Sequence, residues 1–271
     1  MRKFVTPLTV LLVPLALGLR PSPVGAQTLS GEEIMKRSSL AEFYPGDDMK
    51  ARVLMRLITK DGGERIREMT MLRKNLQEGG DQRYFIYFHR PADVREMTFL
   101  IWKSPRKDDD RWLFIPALKL VKRIAANDKR SSFVGSDFSY EDVSGRDVEE
   151  DSHKLLREEK VDGKDAFVIE SVPKDPASAD FGKKLSWIDK VSFIPLKEEY
   201  YDRRGDLSRV FSADEVKQVQ GLWTITKRTM KNVQTGHRTE VTFQEVKYNL
   251  KLSDALFTER YLKNPPPEAV R

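Results

Sequence analysis

The sequence predicts a mainly β protein with a few short helices, arranged as a barrel or a strongly curved antiparallel sheet. Three observations predict this fold class. Many segments show alternating apolar and polar side chains, or the short apolar runs that are typical of strands. Short turns that contain glycine separate most of these segments, as in hairpins. Helical segments of the kind that connect parallel strands are missing between them, so neighbouring strands are expected to pair antiparallel.

The first predicted element is a helix. Ser30 is followed three residues later by Glu33, which is the pattern of a capping box at a helix start. Apolar residues follow, so the helix is expected to run to about Leu40. Pro45 and Gly46 then end it.

Strand-like segments follow the helix. In residues 50–60, Ala51, Val53 and Met55 share one face and Arg52 lies on the other, which indicates one buried and one solvated face. The other segments are 64–74, 83–90, 97–103, 111–115, 118–124, 154–161, 165–172, 185–189, 194–201, 207–216, 222–232 and 237–248. From them we expect about ten to twelve strands in sequential hairpins. Residues 125–142, which lack a clear period, are predicted to form a loop with a short helix.

Residues 1–26 have the pattern of a cleaved signal peptide. A positive start, an apolar stretch over 4–19 and the small residues Val24-Gly25-Ala26 predict cleavage after Ala26. A membrane anchor is less favoured, because two prolines interrupt a stretch shorter than the ~20 residues of a membrane span. We therefore expect a periplasmic protein, with residues 27–263 as one domain and 264–271, which contain three prolines in a row, as a flexible tail.

Charge and cysteine content exclude several classes of function. The full chain has 48 Lys and Arg against 42 Asp and Glu, but three of the bases lie in the predicted signal peptide. The remaining net charge of about +3 gives little support for nucleic-acid binding. The sequence has no cysteine, which excludes disulfides, thiolate metal sites, a cysteine nucleophile and a lipid-acceptor cysteine.

The sequence contains no recognisable catalytic or metal-binding motif. Gly135-Ser136-Asp137 offers a serine and an acid, but no histidine lies nearby in sequence. His89, His153 and His237 are expected to be surface residues, since a metal site needs several convergent ligands. The carboxylates at 108–110 are expected to form a solvated hairpin tip. We therefore expect no enzyme, no cofactor and no metal.

Aromatic residues suggest a ligand cavity. Segments 83–90 and 97–103 are apolar on both faces, and few helices are available to cover a curved sheet. A concave apolar face without a cover is a candidate site for a lipid or an acyl chain, although an ordinary core remains the alternative. The candidate cavity or rim residues are Phe99, Ile101, Trp112, Phe114, Phe133, Phe138, Tyr140, Trp187 and Trp223.

Several segments resemble the outer-membrane lipoprotein-sorting (LolA-like) proteins. They are 112–117 (WLFIPA), 121–124 (VKRI), 132–142 (SFVGSDFSYED), 221–223, 230–232 and 246–257 (VKYNLKLSDALF). The resemblance implies an incomplete β-barrel, closed on one side by a few helices, around a cavity for acyl chains. It also implies partners: a lipid or acylated lipoprotein, an inner-membrane transporter, and transient contact with a membrane surface by a monomer.

Three functions remain open from the sequence. The first is a carrier that binds acyl chains and hands them on towards the outer membrane or a partner transporter without covalent chemistry. The second is an accessory protein that docks on a transporter and fills its cavity with its own side chains. The third, an exported hydrolase, is disfavoured by the motifs. Residues 125–142 are expected to act either as a lid or rim of the cavity or as a packed plug.

Overall fold

One antiparallel sheet of 13 strands dominates the computed structural model, which describes residue 1 and residues 29–271. The strands are β1 (Asp48–Ile58), β2 (Glu64–Asn75), β3 (Gln82–Arg90), β4 (Thr98–Lys103), β5 (Asp110–Ile115), β6 (Leu120–Ile124), β7 (Asp151–Val161), β8 (Lys164–Pro173), β9 (Lys183–Asp189), β10 (Pro195–Tyr201), β11 (Leu207–Val219), β12 (Leu222–Asn232) and β13 (Arg238–Tyr248). The predicted fold class is confirmed, and the number of strands is slightly above the ten to twelve expected. The predicted signal peptide, apart from residue 1, lies outside the described residues.

The strand order shows how the sheet is assembled. It runs β6-β5-β4-β3-β2-β1-β13-β12-β11-β10-β9-β8-β7, so every neighbouring pair but one is consecutive in sequence. The exception joins β1 to β13, with Met49 opposite Tyr248 and Ile58 opposite Arg238. Strands β6 and β7 remain at the two edges, and the sheet is a barrel that does not close.

Three α-helices accompany the sheet: α1 (Gly31–Phe43), α2 (Tyr140–Ser144) and α3 (Pro267–Val270). The predicted start of α1 is confirmed, because the Ser30 hydroxyl accepts a hydrogen bond from the backbone N–H of Glu33 at 3.1 Å. Gly31 allows the start of α1 to lie directly on β7, since a Cβ there would be 2.6 Å from the carbonyl oxygen of His153. Within the described residues, no helix is long and apolar enough to cross a membrane.

Apolar side chains pack on both faces of the sheet. On the concave face, alternate residues of β1, among them Ala51, Val53 and Met55, join the largest buried cluster, as their spacing predicts. On the convex face, residues such as Leu72 and Phe85 pack under the C-terminal segment. The two-faced burial explains why β3 and β4 are apolar on both sides.

Residues 249–271 form the C-terminal strap, which crosses the convex face. The indole N–H of Trp102 donates to the carbonyl of Phe257 at 2.8 Å, and the hydroxyl of Thr98 donates to the carbonyl of Leu262 at 2.7 Å. Whereas the sequence predicts a flexible tail over 264–271, the structure has α3 there, with Ala269 fully buried. The three prolines lead the chain onto the sheet instead of releasing it.

Candidate functional site

Residues 125–145, here called the covering segment, insert aromatic side chains into the concave face. Phe133, Phe138 and Tyr140 are all buried. The ring of Phe133 lies 5.5 Å from that of Phe99 and 5.6 Å from that of Tyr140, centre to centre. Since Phe88 also approaches Phe133, at 6.1 Å, the covering segment and strands β3 and β4 form one aromatic cluster.

The internal structure of the covering segment comes from turns and a capped helix. The backbone N–H of Phe133 donates to the carbonyl of Phe138 at 2.8 Å, which closes a tight loop. Ser139 and Asp142 then form a capping box at the start of α2, with hydrogen bonds of 3.1 and 2.7 Å between each side chain and the other residue's backbone N–H. Gly145 ends α2 at a φ of 80°, with the Phe43 ring against it. The segment is therefore ordered although it contains little regular structure.

Polar contacts tether the covering segment to the sheet. The Asp137 backbone N–H donates to Oγ1 of Thr239 at 3.0 Å, and that hydroxyl donates to the Asp137 carboxylate at 2.7 Å. Near the other end, the buried Lys103 ammonium donates to the carbonyls of Ser144 and Gly145 at 2.5 and 2.9 Å. These contacts tie the covering segment to β13 through Thr239 and to β4 through Lys103.

Little empty space remains beneath the cover. Two small pockets that the covering segment helps to line have volumes of about 70 and 90 Å³. Sites for drug-sized ligands commonly measure about 300–1,000 Å³. A ligand of that size therefore fits neither pocket unless the covering segment or α1 moves.

The half of the concave face formed by β9 to β12 is lined by charged side chains. Lys184 donates to Glu198 at 2.8 Å, and Arg209 contacts Asp142 of the covering segment at 3.1 Å. Glu42 of α1 lies 3.7 Å from Arg228. The pKa of the Glu42 carboxyl is raised to about 7, mainly by burial and also by the charge of Glu198, against the opposing effect of Arg228. The half formed by β9 to β12, here called the ionic side, thus combines these ion pairs with buried apolar residues such as Phe211 and Met230.

The sequence did not reveal this ionic side. Glu198 lies between Lys197 and Glu199, and Arg228 follows Lys227, so both stand in polar runs that also fit a solvated strand. Both are turned inward: Lys184 on the neighbouring strand β9 pairs with Glu198, and Glu42 of α1 faces Arg228. The sequence does place a basic residue on one strand and an acidic residue on the next, but strand register decides whether the two side chains meet.

The structure separates the predicted site residues into four groups. Those on the concave face form or adjoin the aromatic cluster; they are Phe99, Ile101, Phe133, Phe138 and Tyr140. Trp112 and Phe114 pack on the convex face, in the cluster under the C-terminal strap. Trp187 lies in a separate small cluster with Val168 and Leu196. Trp223 is 37% exposed and borders the 70 Å³ pocket.

The serine–acid pair considered as a nucleophile site has no catalytic arrangement. His237 does meet Asp137, with Nδ1 at 2.6 Å from the carboxylate, although the two are far apart in sequence. The Ser136 hydroxyl instead donates to the backbone carbonyl of Phe138 at 3.1 Å. A histidine that does not contact the serine cannot take its proton, so the arrangement does not support a triad.

The other polar candidates have structural partners. His153 was expected at the surface, and this prediction is wrong: it is buried under α1, with ring nitrogens 2.8 Å from the Ser171 hydroxyl and the Val148 carbonyl. Burial lowers the pKa of His153. Asp109 pairs with Arg111 at 2.7 Å. The described residues contain no cluster of acids and histidines that could hold a metal ion.

The incomplete barrel with a covered concave face defines the class of protein: it is a LolA-like half-barrel. The chain is 34% identical to an outer membrane lipoprotein-sorting protein domain from Vibrio parahaemolyticus, with a TM-score of 0.78 over 86% of this chain and 98% of that one. A family model described only as "Uncharacterized protein" matches residues 80–264. The chain therefore belongs to the outer membrane lipoprotein-sorting, LolA-like family, which confirms the resemblance seen in the sequence.

Two further structures are similar. A DUF1329 family protein from Desulfovibrio piger is 29% identical, with a TM-score of 0.78 over 84% of this chain and 97% of that chain. A LolA superfamily protein from Nitrosomonas europaea shares the fold at 22% identity, with a TM-score of 0.67 over 86% of this chain and 100% of that chain. No curated protein matches the chain by sequence.

Proposed function

We propose that this protein is a periplasmic carrier that holds acyl chains of a lipid or lipoprotein in its concave face and releases them to an acceptor without covalent chemistry. The observation that carries the proposal is the aromatic cluster formed by the covering segment on β3 and β4. The family supports a role in sorting lipoproteins, because the similar domain from Vibrio parahaemolyticus carries that description. The lack of a catalytic arrangement around Ser136 fits a carrier better than a hydrolase.

The free energy lost when the covering segment opens is comparable to that gained when an acyl chain is buried, which suits reversible loading of a lipid. Exposing the three aromatic side chains of the covering segment costs about 5 to 9 kcal/mol, at about 1.5–3 kcal/mol for each buried side chain. Burying an acyl chain of ~14 carbons gains roughly 11 kcal/mol before the entropy cost of binding. Before that entropy cost, replacing the cover by the cargo gains about 2 to 6 kcal/mol. The two states are therefore close in free energy, and an acceptor of moderate affinity can remove the cargo.

A disulfide that locks the cover tests the proposal. Asp137 and Thr239 are joined by hydrogen bonds of 3.0 and 2.7 Å, so Asp137→Cys with Thr239→Cys places two thiols within reach of each other. The chain has no other cysteine to interfere. Asp137→Cys alone is the matched control, because it breaks the same tether without forming an internal bond.

The protein starting at Gln27 would be purified without detergent and mixed with vesicles of phosphatidylethanolamine and phosphatidylglycerol. Native mass spectrometry would then count bound lipids. We expect the reduced double variant and the control to carry about one lipid per chain, and the oxidised double variant to carry none. Equal loading of the oxidised variant would show that lipid does not enter beneath the covering segment. A folded wild-type protein that never takes up lipid would favour an accessory protein that docks on a transporter with its cavity filled by its own side chains.

A further inference from the structure

Arg67 on β2 is a buried cation without a partner. It is 7% exposed, and its Nε and Nη1 atoms meet no hydrogen-bond acceptor among the residues that the structure describes. Burial lowers the pKa of its guanidinium, with Asp93 on an exposed loop opposing the effect. A buried charge that lacks a partner is strongly unfavourable, so a position of this kind calls for an explanation.

The other two buried arginines of the described chain differ from Arg67. Arg73 donates to the backbone carbonyls of Phe43 and Pro45. Arg111 pairs with the Asp109 carboxylate at 2.7 Å. Both side chains therefore join parts of the fold to one another. Arg67 makes no such hydrogen bond or ion pair among the described residues, although it is buried to nearly the same degree.

The position of Arg67 relates it to the aromatic cluster. It lies on the same face of β2 as the buried Met69, two residues further on, and opposite Met55 of β1. Met69 pairs with Phe88, a member of the cluster, so Arg67 lies two residues along β2 from the position that faces Phe88. On the side of the cover, a Cβ built on Gly135 would lie 3.9 Å from Nη2 of Arg67. The guanidinium thus lies between the sheet and the loop of the covering segment, beside the apolar interior.

We propose that Arg67 binds an oxyanion at the polar end of an acylated ligand, whose acyl chain occupies the place of the covering segment's aromatic rings. This inference rests on the proposed carrier function and narrows its cargo. A guanidinium can donate two parallel hydrogen bonds to a phosphate or a carboxylate. The ligand class therefore comprises anionic phospholipids and fatty acids, in preference to neutral diacylglycerol groups.

Binding of matched lipids tests the proposal. Fluorescent phosphatidylglycerol, fluorescent diacylglycerol with the same chains, and oleate as a competitor would be titrated against wild type, Arg67→Gln and Arg65→Gln. Arg65 is the control, because it lies on the same strand but is exposed. We expect Arg67→Gln to weaken phosphatidylglycerol binding about tenfold or more, as for a lost hydrogen bond to a charged group, and to change diacylglycerol binding less than twofold. Arg65→Gln is expected to change neither.

The outcomes separate this inference from the carrier function. If wild type binds both lipids equally, or if Arg67→Gln weakens both equally, the oxyanion site is refuted and the carrier remains. If wild type binds neither lipid, both proposals fail. Displacement of phosphatidylglycerol by oleate that is at least tenfold weaker in Arg67→Gln than in wild type supports the site and identifies carboxylates as ligands as well. Displacement by inorganic phosphate at equal concentration would refute the requirement for an acyl chain.

A stability measurement guards against a variant that fails to fold. Arg67→Met keeps most of the side-chain volume and removes the unpaired charge, so the lipid-free variant is expected to melt at a higher temperature than wild type. Phosphatidylglycerol should raise the melting temperature of wild type more than that of the variant. A lower melting temperature for lipid-free Arg67→Met would show that Arg67 has a structural role and would overturn the proposal.

Discussion

Replacing Glu42 by glutamine should change how the stability of the protein depends on pH. Glu42 lies on α1 against the ionic side of the interior, where burial raises the pKa of its carboxyl from 4.5 to about 7. Between these two pH values the folded protein keeps the proton and the unfolded chain releases it, so stability falls as the pH rises. The difference corresponds to about 3 kcal/mol of unfolding free energy. Glutamine cannot ionise, so the unfolding free energy of Glu42→Gln should not fall in this way as the pH rises.

Urea unfolding at several pH values between 4.5 and 8 measures the effect. We expect the free energy of unfolding of wild type to fall, relative to that of Glu42→Gln, by about 3 kcal/mol over this range. Glu32→Gln is the control, because Glu32 is exposed on the same helix. Parallel pH profiles for wild type and Glu42→Gln would refute the reasoning, since they would mean that Glu42 is ionised throughout and stabilised by Arg228.

Three further substitutions test the cover and the strap, each by chemical denaturation. Phe257→Ala should lower the free energy of unfolding by about 3–5 kcal/mol, because Phe257 belongs to the strap and is almost fully buried against the convex face; a loss below about 1 kcal/mol would mean that the strap is not bound in solution. Ser139→Ala removes the cap of α2 and should cost about 1 kcal/mol, whereas an unchanged midpoint would contradict the capping box. Gly145→Ala should destabilise the protein because φ is 80° and a Cβ would lie 2.7 Å from the Phe43 ring; a more stable variant would disprove this close contact.

Local patterns in the sequence predicted most of the elements. Alternation in β1 identified the buried face that contains Val53 and Met55, because a strand places every second side chain on one side. The cap at Ser30 located the start of α1 for a similar reason: the hydroxyl satisfies a backbone N–H three residues away. These features depend only on neighbours in sequence, so a single chain is enough to read them.

Features that depend on distant residues could not be predicted in this way. The pairing of β1 with β13 needs the whole sheet, and the ion pair of Glu42 with Arg228 needs a helix to lie on a specific strand. Trp112 shows the same limit at the candidate site. As an aromatic residue next to β4 it was a candidate for the cavity, but its place in the alternation of β5 puts it on the convex face.

The pairing of the first strand with the last has a consequence for the order of folding. During synthesis, β1 to β6 can form hairpins early, because each needs only the next segment of chain. β1 nevertheless remains an open edge until residues 238–248 have been made, and contacts between such distant residues form slowly. Until then the apolar face of the early hairpins is accessible to other chains. A ribosome that stalls before β13 would therefore release a fragment prone to aggregation, whatever the stability of the finished fold.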